Sequence, residues 1–110
     1  MNEFYLLTFV IHVDAAFYGR YCHDSELSVK IYNFADSNNL LILPEVEMNR
    51  QYVKFTVKRP CKQGEGKNGA ESVMCADLVN KLRGELADTC KIEVTVMRSK
   101  LEHCGTYEQY

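Results

Sequence analysis

The sequence lacks tryptophan, contains only two prolines and carries a formal net charge of −2 at pH 7. Proteins that bind nucleic acid broadly are usually strongly basic, so this weak negative charge argues against such binding. The C-x-x-C pair and the G-x-S-x-G, H-E-x-x-H and Walker motifs are also absent. Their absence removes the commonest sequence signals for zinc knuckles, serine hydrolases, zinc proteases and nucleoside triphosphatases.

Long hydrophobic runs are missing too. The apolar run over residues 4–13 is ten residues long, which is about half of what a transmembrane helix needs. Glu3 precedes it, in place of the basic residues that open a secretory signal. We interpret the run as a buried strand and expect no association with a membrane.

The chain has 110 residues, of which 46% are hydrophobic and 25% are charged. These values are typical of a globular chain that is long enough to form one hydrophobic core. We therefore expect a single α+β domain over residues 1–110.

The cysteines are odd in number and show no regular framework spacing. They are Cys22, Cys61, Cys75, Cys90 and Cys104. The pattern predicts thiols in a reducing compartment, and hence a cytoplasmic protein. The neighbours Cys22-His23 and His103-Cys104 leave two alternatives open, a contact or bridge between Cys22 and Cys104 and a zinc site built from both pairs.

Five segments have the composition or the alternation of β-strands. Residues 4–13 are apolar on both faces, which is typical of a central strand covered on both sides. The other predicted strands are residues 27–34, 40–43, 51–59 and 90–97. Pro44 either ends the third strand or places it at a sheet edge.

The strand predicted over residues 27–34 rests on alternation alone. Leu27, Val29 and Ile31 would point to one face of it, and Tyr32 to the other. A cluster of turn residues follows at positions 36–39.

One amphipathic helix is predicted over residues 69–88. Its apolar stripe consists of Cys75, Leu78, Val79, Leu82 and Leu86. Asp77 and Lys81 form a favourable pair four residues apart. Gly84 costs about 1 kcal/mol relative to alanine inside a helix, so we expect another part of the chain to pack closely there.

The predicted order β-β-β-β-α-β indicates a mixed sheet of about five strands with one long helix packed on one face. If residues 51–59 and 90–97 form adjacent parallel strands, the helix between them makes a right-handed crossover. The face of the sheet without a helix would then carry Tyr32, Tyr52 and Lys54. Tyrosine is enriched in interfaces, so we expect this face to contact a second copy of the chain.

A glycine-rich loop precedes the predicted helix and reads G-x-G-x-x-G over residues 64–69. Backbone N–H groups and the helix dipole could face an anion there. The anion-binding candidates are Arg59, Lys62, Gly64, Gly66, Lys67 and Gly69. A dinucleotide site needs its loop directly after a strand, but four residues intervene here, which favours a looser contact with a phosphate or nucleotide tail.

Two short stretches resemble the secreted galactose- and rhamnose-binding lectin domains. Residues 13–20 read V-D-A-A-F-Y-G-R, and residues 104–107 read C-G-T-Y. The resemblance implies a sugar near Asp14, Tyr18 and Thr106. Glu108 stands where that family has a lysine, and the segment between the two stretches is longer than in the family.

These observations favour a non-enzymatic binding or assembly module that forms homo-oligomers and needs no cofactor. Two alternatives stay open, a protein that binds a small anion or nucleotide through residues 64–69 and a secreted lectin-like domain. Counting thiols under denaturing conditions separates the lectin-like domain from the others, because it requires oxidised cysteines.

Overall fold

The computed structural model describes residues 3–13, 24–61, 70–86 and 90–100. Four strands and two helices lie along these residues. They are β1 (Glu3–His12), α1 (Asp24–Ser37), β2 (Leu41–Met48), β3 (Tyr52–Pro60), α2 (Ala70–Leu86) and β4 (Ile92–Lys100). The protein is therefore α+β, as predicted, but with two described helices.

The strands form one antiparallel sheet in the order β2-β3-β1-β4. Each helix connects two strands that are not neighbours in the sheet. Helix α1 leads from β1 to β2, which have β3 between them, and α2 leads from β3 to β4, which have β1 between them. These two interlocked split β-α-β units make the β-α-β-β-α-β topology known as ferredoxin-like.

Both helices pack on the same face of the sheet. Phe34 of α1 meets Phe9 and Phe55 of the two central strands, with ring centroids 5.5 and 6.4 Å away. Helix α2 adds Leu78, Leu82 and Leu86 to the same buried cluster. The core thus lies between one helical layer and one face of the sheet.

The prediction of a strand over residues 27–34 was wrong, because the segment lies inside α1. Its buried residues are Leu27, Ile31 and Phe34, which lie four and three positions apart on one face of a helix. Val29, which the alternation placed beside them, is 57% exposed. Losing this strand and gaining α1 leaves four described strands where five were predicted.

Helix α1 ends at the predicted turn cluster. Leu40 N donates to Ala35 O at 2.9 Å and Asn39 N donates to Asp36 O at 3.2 Å, the two bonds of a Schellman motif. Asn39 takes the left-handed conformation that this motif requires, with φ of 56°. Leu40 and Ala35 are both buried in the core, and the chain then continues into β2.

The predicted helix over residues 69–88 is confirmed as α2. Leu78, Leu82 and Leu86 are buried, while Cys75 and Val79 are half-buried against them. Lys81 Nζ lies 3.0 Å from Asp77 Oδ2, which confirms the predicted ion pair.

The expectation of close packing at Gly84 was wrong. Among the described residues, and apart from the adjacent turns of α2 itself, no atom lies within 4 Å of a methyl group placed on its Cα. The space around Gly84 therefore does not require a glycine at this position.

The strands over residues 51–59 and 90–97 are confirmed as β3 and β4, but they are not adjacent. Strand β1 lies between them and pairs antiparallel with both. Helix α2 therefore crosses over β1.

Strand β2 continues past Pro44 and lies at an edge of the sheet. Its pairing with β3 is irregular between Ile42 and Val46, since proline cannot donate a backbone hydrogen bond to a ladder. The predicted edge position is therefore confirmed.

Neither described helix is long and apolar enough to cross a membrane.

Candidate functional site on the open face of the sheet

Among the described residues, no helix covers the face of the sheet opposite the core; we call it the open face. Side chains alternate along a strand, so the register of the sheet decides which of them lie there. The open face includes Phe4, Leu6, Thr8, Val10 and His12 from β1, Tyr52, Lys54, Thr56 and Lys58 from β3, Glu93, Thr95 and Met97 from β4, and Leu41 and Glu47 from β2.

Three threonines form a row across the centre of the open face. Thr8 is the register partner of Thr56 on one side and of Thr95 on the other. The hydroxyl oxygens of Thr8 and Thr56 are 3.0 Å apart and share a hydrogen bond. This bond holds the two central strands together without placing a charge at the centre.

The row on one side of the threonines is mainly apolar. It runs from Leu41 through Lys58 and Leu6 to Met97. Leu41 and Met97 are 61% and 60% exposed at the two edges of the sheet. The Lys58 ammonium lies 4.2 Å from the centre of the buried Phe4 ring, so its charge is directed towards an aromatic face.

The row on the other side carries alternating charge. It runs from Glu47 through Lys54 and Val10 to Glu93. The Tyr52 hydroxyl donates to Glu47 Oε2 at 3.0 Å. The apolar and charged halves of the open face thus lie on opposite sides of the threonine row.

Glu93 is the best-supported acid of the charged half. His12 Nε2 lies 3.1 Å from its Oε2, and Lys91 Nζ lies 3.5 Å from its Oε1. The hydrogen bond from His12 and then the charge of Lys91 hold the pKa of Glu93 below its ordinary value. Glu93 therefore stays an anion on the open face at neutral pH.

A depression of about 420 Å³ lies on the open face beside the irregular part of β2. Its polar lining groups are the hydroxyls of Thr8 and Thr56, the Lys54 ammonium and the carboxyls of Glu45 and Glu47. Its size is within the range of small-ligand sites. The mixture of both charges around it suits hydrogen bonding with a polar surface.

Two of the three predicted interface residues, Tyr52 and Lys54, lie on the open face. The placement of Tyr32 on a sheet face was wrong, because Tyr32 belongs to α1. It is 51% exposed beside a second groove of about 360 Å³ between α1 and β2. The sequence thus predicted an open face and two of its residues, but it placed Tyr32 on this face although Tyr32 belongs to the helical layer.

The residues that sequence reasoning missed are the outward side chains of β1, namely Leu6, Thr8 and Val10. Their apolar or uncharged character was recognised, but it was assigned to a strand covered on both sides. The composition of β1 thus predicts that something covers its outward side chains, but it does not show what covers them.

The predicted anion site lies mostly outside the described residues. This holds for Lys62, Gly64, Gly66, Lys67 and Gly69. Arg59 is described near the end of β3, where it pairs in register with Tyr5. Its role in binding an anion stays a prediction.

A second arginine lies in the same row as Arg59. Arg98 of β4 is the register partner of Tyr5 on the opposite side. Arg98 donates to Glu3 Oε2 at 2.6 Å, and this bond raises the pKa of Arg98 above its ordinary value. The Arg98 guanidinium is therefore paired with a carboxylate.

Three cysteines are described, and Cys61, Cys75 and Cys90 are thiols. Burial, and secondly the charge of Glu71, raise the pKa of the Cys75 thiol. Cys22 and Cys104 lie outside the described residues, as do the histidines next to them. Within the described ranges, no three metal-ligating side chains form a group that could hold an ion.

The chain matches no model of a known protein family and no curated protein sequence. The lectin-like stretches lie outside the described residues, apart from Val13. The sugar contacts that they imply for Asp14, Tyr18 and Thr106 stay predictions.

Proposed function

We propose that this chain is a non-enzymatic assembly module that pairs with a second copy of itself through the open face. The observation that carries the proposal is the character of β1. Its inward residues Phe9 and Ile11 are fully buried, and its outward residues Leu6, Thr8 and Val10 are uncharged as well. The solvated face of an antiparallel sheet commonly carries polar and charged residues, so the uncharged outward residues of β1 favour a cover on this side, which a second sheet would supply.

The size of the open face is sufficient for a specific interface. Four strands about 4.8 Å apart and about 30 Å long present roughly 600 Å² per protomer. Two such faces in full overlap would bury about 1,200 Å² in total, which reaches the lower end of stable protein–protein interfaces, and a partial overlap gives a weaker, concentration-dependent dimer. The exposed side chains of Leu41 and Met97 extend the apolar part of this area to both edges.

The side chains of the open face suit packing against protein better than binding of a nucleic-acid strand. Sheets that bind single-stranded RNA stack the bases on aromatic side chains of their central strands. The aromatic residues on this face of the central strands lie at its opposite ends, Phe4 in β1 and Tyr52 in β3. The positions between them include Thr8, Val10 and Thr56, which offer no ring for a base to stack on. The net charge of −2 also disfavours a phosphate backbone.

The test is the mass of the particle in solution, measured by sedimentation velocity over a range of concentrations. We expect the wild type to reach twice the chain mass of 12.7 kDa. Thr8→Arg places a charge at the centre of the open face and should leave a monomer. A wild type that stays at the chain mass up to its solubility limit would contradict the proposal.

Asn80→Arg is the matched control. Asn80 is exposed on α2, in the layer opposite the open face, so the same added charge should leave the dimer intact. Dissociation by both variants would mean that net charge, and not contact through the open face, decides the assembly. Circular dichroism checks that both variants are folded.

A second candidate is binding of a small anion, such as a phosphate or a nucleotide tail, by residues 64–69. Arg59 supports it, because this residue lies at the end of β3 from which the chain leads into that loop. A panel of nucleotides and inorganic phosphate should then raise the melting temperature, and Lys67→Ala should reduce the rise. No shift with any member of the panel contradicts this candidate.

A further inference from the structure

The geometry of the pairing rests on the proposed function and follows from the symmetry of two identical copies. Two sheets that pack face to face lie about 10 Å apart and keep their strands within about 30° of each other. A symmetric dimer places the same patch of both copies around a two-fold axis. For two open faces this axis lies between the sheets, and it runs either across the strands or along them.

An axis across the strands brings unlike halves of the open face together. If it passes through the threonine row, the apolar row of one copy meets the charged row of the other. Lys58 then faces Lys54 of the partner subunit, and Met97 faces Glu93 of the partner subunit. The two lysines would repel each other, because like charges then lie opposite each other across the interface.

An axis along the strands keeps like halves together, and its position decides which charges meet. Above β3, Lys54 faces its own counterpart. Between β3 and β1, Glu47 faces Glu93 of the partner subunit, since β2 and β4 are then exchanged. Both positions place like charges opposite each other.

An axis above β1 instead places opposite charges in contact. Strands β3 and β4 flank β1, and Lys54 and Glu93 are both register partners of Val10. The axis exchanges β3 and β4, so Lys54 of each copy meets a carboxylate of the other. The same axis stacks the uncharged residues Leu6, Thr8 and Val10 on their own counterparts.

We propose that two copies of this chain pair through their open faces about a two-fold axis along β1, with Lys54 of each copy bound to Glu93 of the partner subunit. The ion pair occurs twice because of the symmetry. Strand β2 lies outside the overlap of the two faces, which leaves Glu47 at the rim. The three overlapping strands present roughly 430 Å² per protomer, so we expect a weak, concentration-dependent dimer.

The two side chains are available for this contact. Lys54 is exposed, and no hydrogen bond or ion pair engages its ammonium among the described residues. Glu93 is 56% exposed although His12 and Lys91 contact it. A lysine and a glutamate side chain together span the distance of about 10 Å between packed sheets.

Charge exchange tests the proposal, with the dissociation constant of the dimer measured by sedimentation equilibrium. Lys54→Glu and Glu93→Lys should each raise the dissociation constant by about tenfold or more, because each places like charges in contact twice. The double variant exchanges the two charges and should return to within about threefold of the wild type. Circular dichroism of each variant checks its fold.

Glu47→Lys is the matched control, since it reverses a charge of the same row on β2. An axis above β1 predicts little change in the dissociation constant for this variant. An axis between β3 and β1 predicts a lower dissociation constant, because the new lysine would then face Glu93 of the partner subunit. A dimer that the double variant does not restore, or that Glu47→Lys tightens, overturns this axis and leaves the proposed function standing. A wild type that is monomeric throughout overturns both.

Discussion

The ring of Phe9 stacks on the ring of Phe55, with centroids 5.2 Å apart and planes at 13° to each other. The two residues are register partners on the central strands, and Phe34 of α1 packs edge-on against both. This aromatic cluster joins the sheet to the first helix. Its removal should therefore affect the stability of the whole protein.

Phe55→Ala should lower the free energy of unfolding by about 3–5 kcal/mol, the usual cost of deleting a buried phenyl ring. Val29→Ala removes an exposed side chain from α1 and should change the free energy by less than about 0.5 kcal/mol. Urea unfolding at one fixed protein concentration measures both, since association adds to apparent stability. Equal losses in the two variants would contradict the described core.

Gly84→Ala should stabilise the protein by about 0.5–1 kcal/mol. Alanine restricts the unfolded chain and favours the helix, and a methyl group at this position meets no neighbour within 4 Å. Ala76→Gly is the reverse change at another exposed position of α2 and should cost a similar amount. A lower urea midpoint for Gly84→Ala would show that a contact outside the described residues occupies this space.

Asn39→Ala should destabilise the protein by about 1 kcal/mol, because alanine lacks the short polar side chain that lets asparagine adopt a φ of 56° at a lower cost. Asn39→Gly should be neutral or slightly stabilising, since glycine adopts this conformation freely. Thermal unfolding of the two variants side by side gives the difference. Equal stability of the alanine and glycine variants would contradict the left-handed conformation of Asn39 in the Schellman motif after α1.

The two helices show why part of the fold could be predicted and part could not. In α2 the apolar stripe fits a helical period and no other, and the pair of Asp77 and Lys81 agrees with it. In α1, Leu27 and Ile31 fit both a helix and an alternating strand. The residue that separates these interpretations is Val29, whose exposure depends on tertiary packing.

The candidate site depended on information that a local pattern does not contain. The sequence indicated an open sheet face and placed Tyr52 and Lys54 on it. Only the register of β1 with its two neighbours brings Thr8 beside Thr56 and places Lys54 and Glu93 on either side of Val10. Such pairings join residues far apart in sequence, so periodicity could not reveal them.

The carboxyl of Glu93 should titrate below the ordinary range of glutamate, and the cause can be isolated in the monomeric Thr8→Arg background. There the hydrogen bond from His12 lowers the pKa most, followed by the charge of Lys91. His12→Ala should therefore raise the pKa of Glu93 towards its ordinary value, and Lys91→Ala should raise it less. Carbon-detected NMR titration of the Glu93 side chain measures both shifts.

The same interaction sets the sign of a pH effect on stability. A carboxyl whose pKa is lower in the folded than in the unfolded protein stabilises the fold above the unfolded-state value, which is about 4.3 for glutamate. That contribution disappears as the pH falls through the folded-state pKa, because the carboxyl is then protonated in both states. The stability of His12→Ala should thus change less over this acidic range than that of the background. An identical acid dependence in both proteins would contradict the bond between His12 and Glu93.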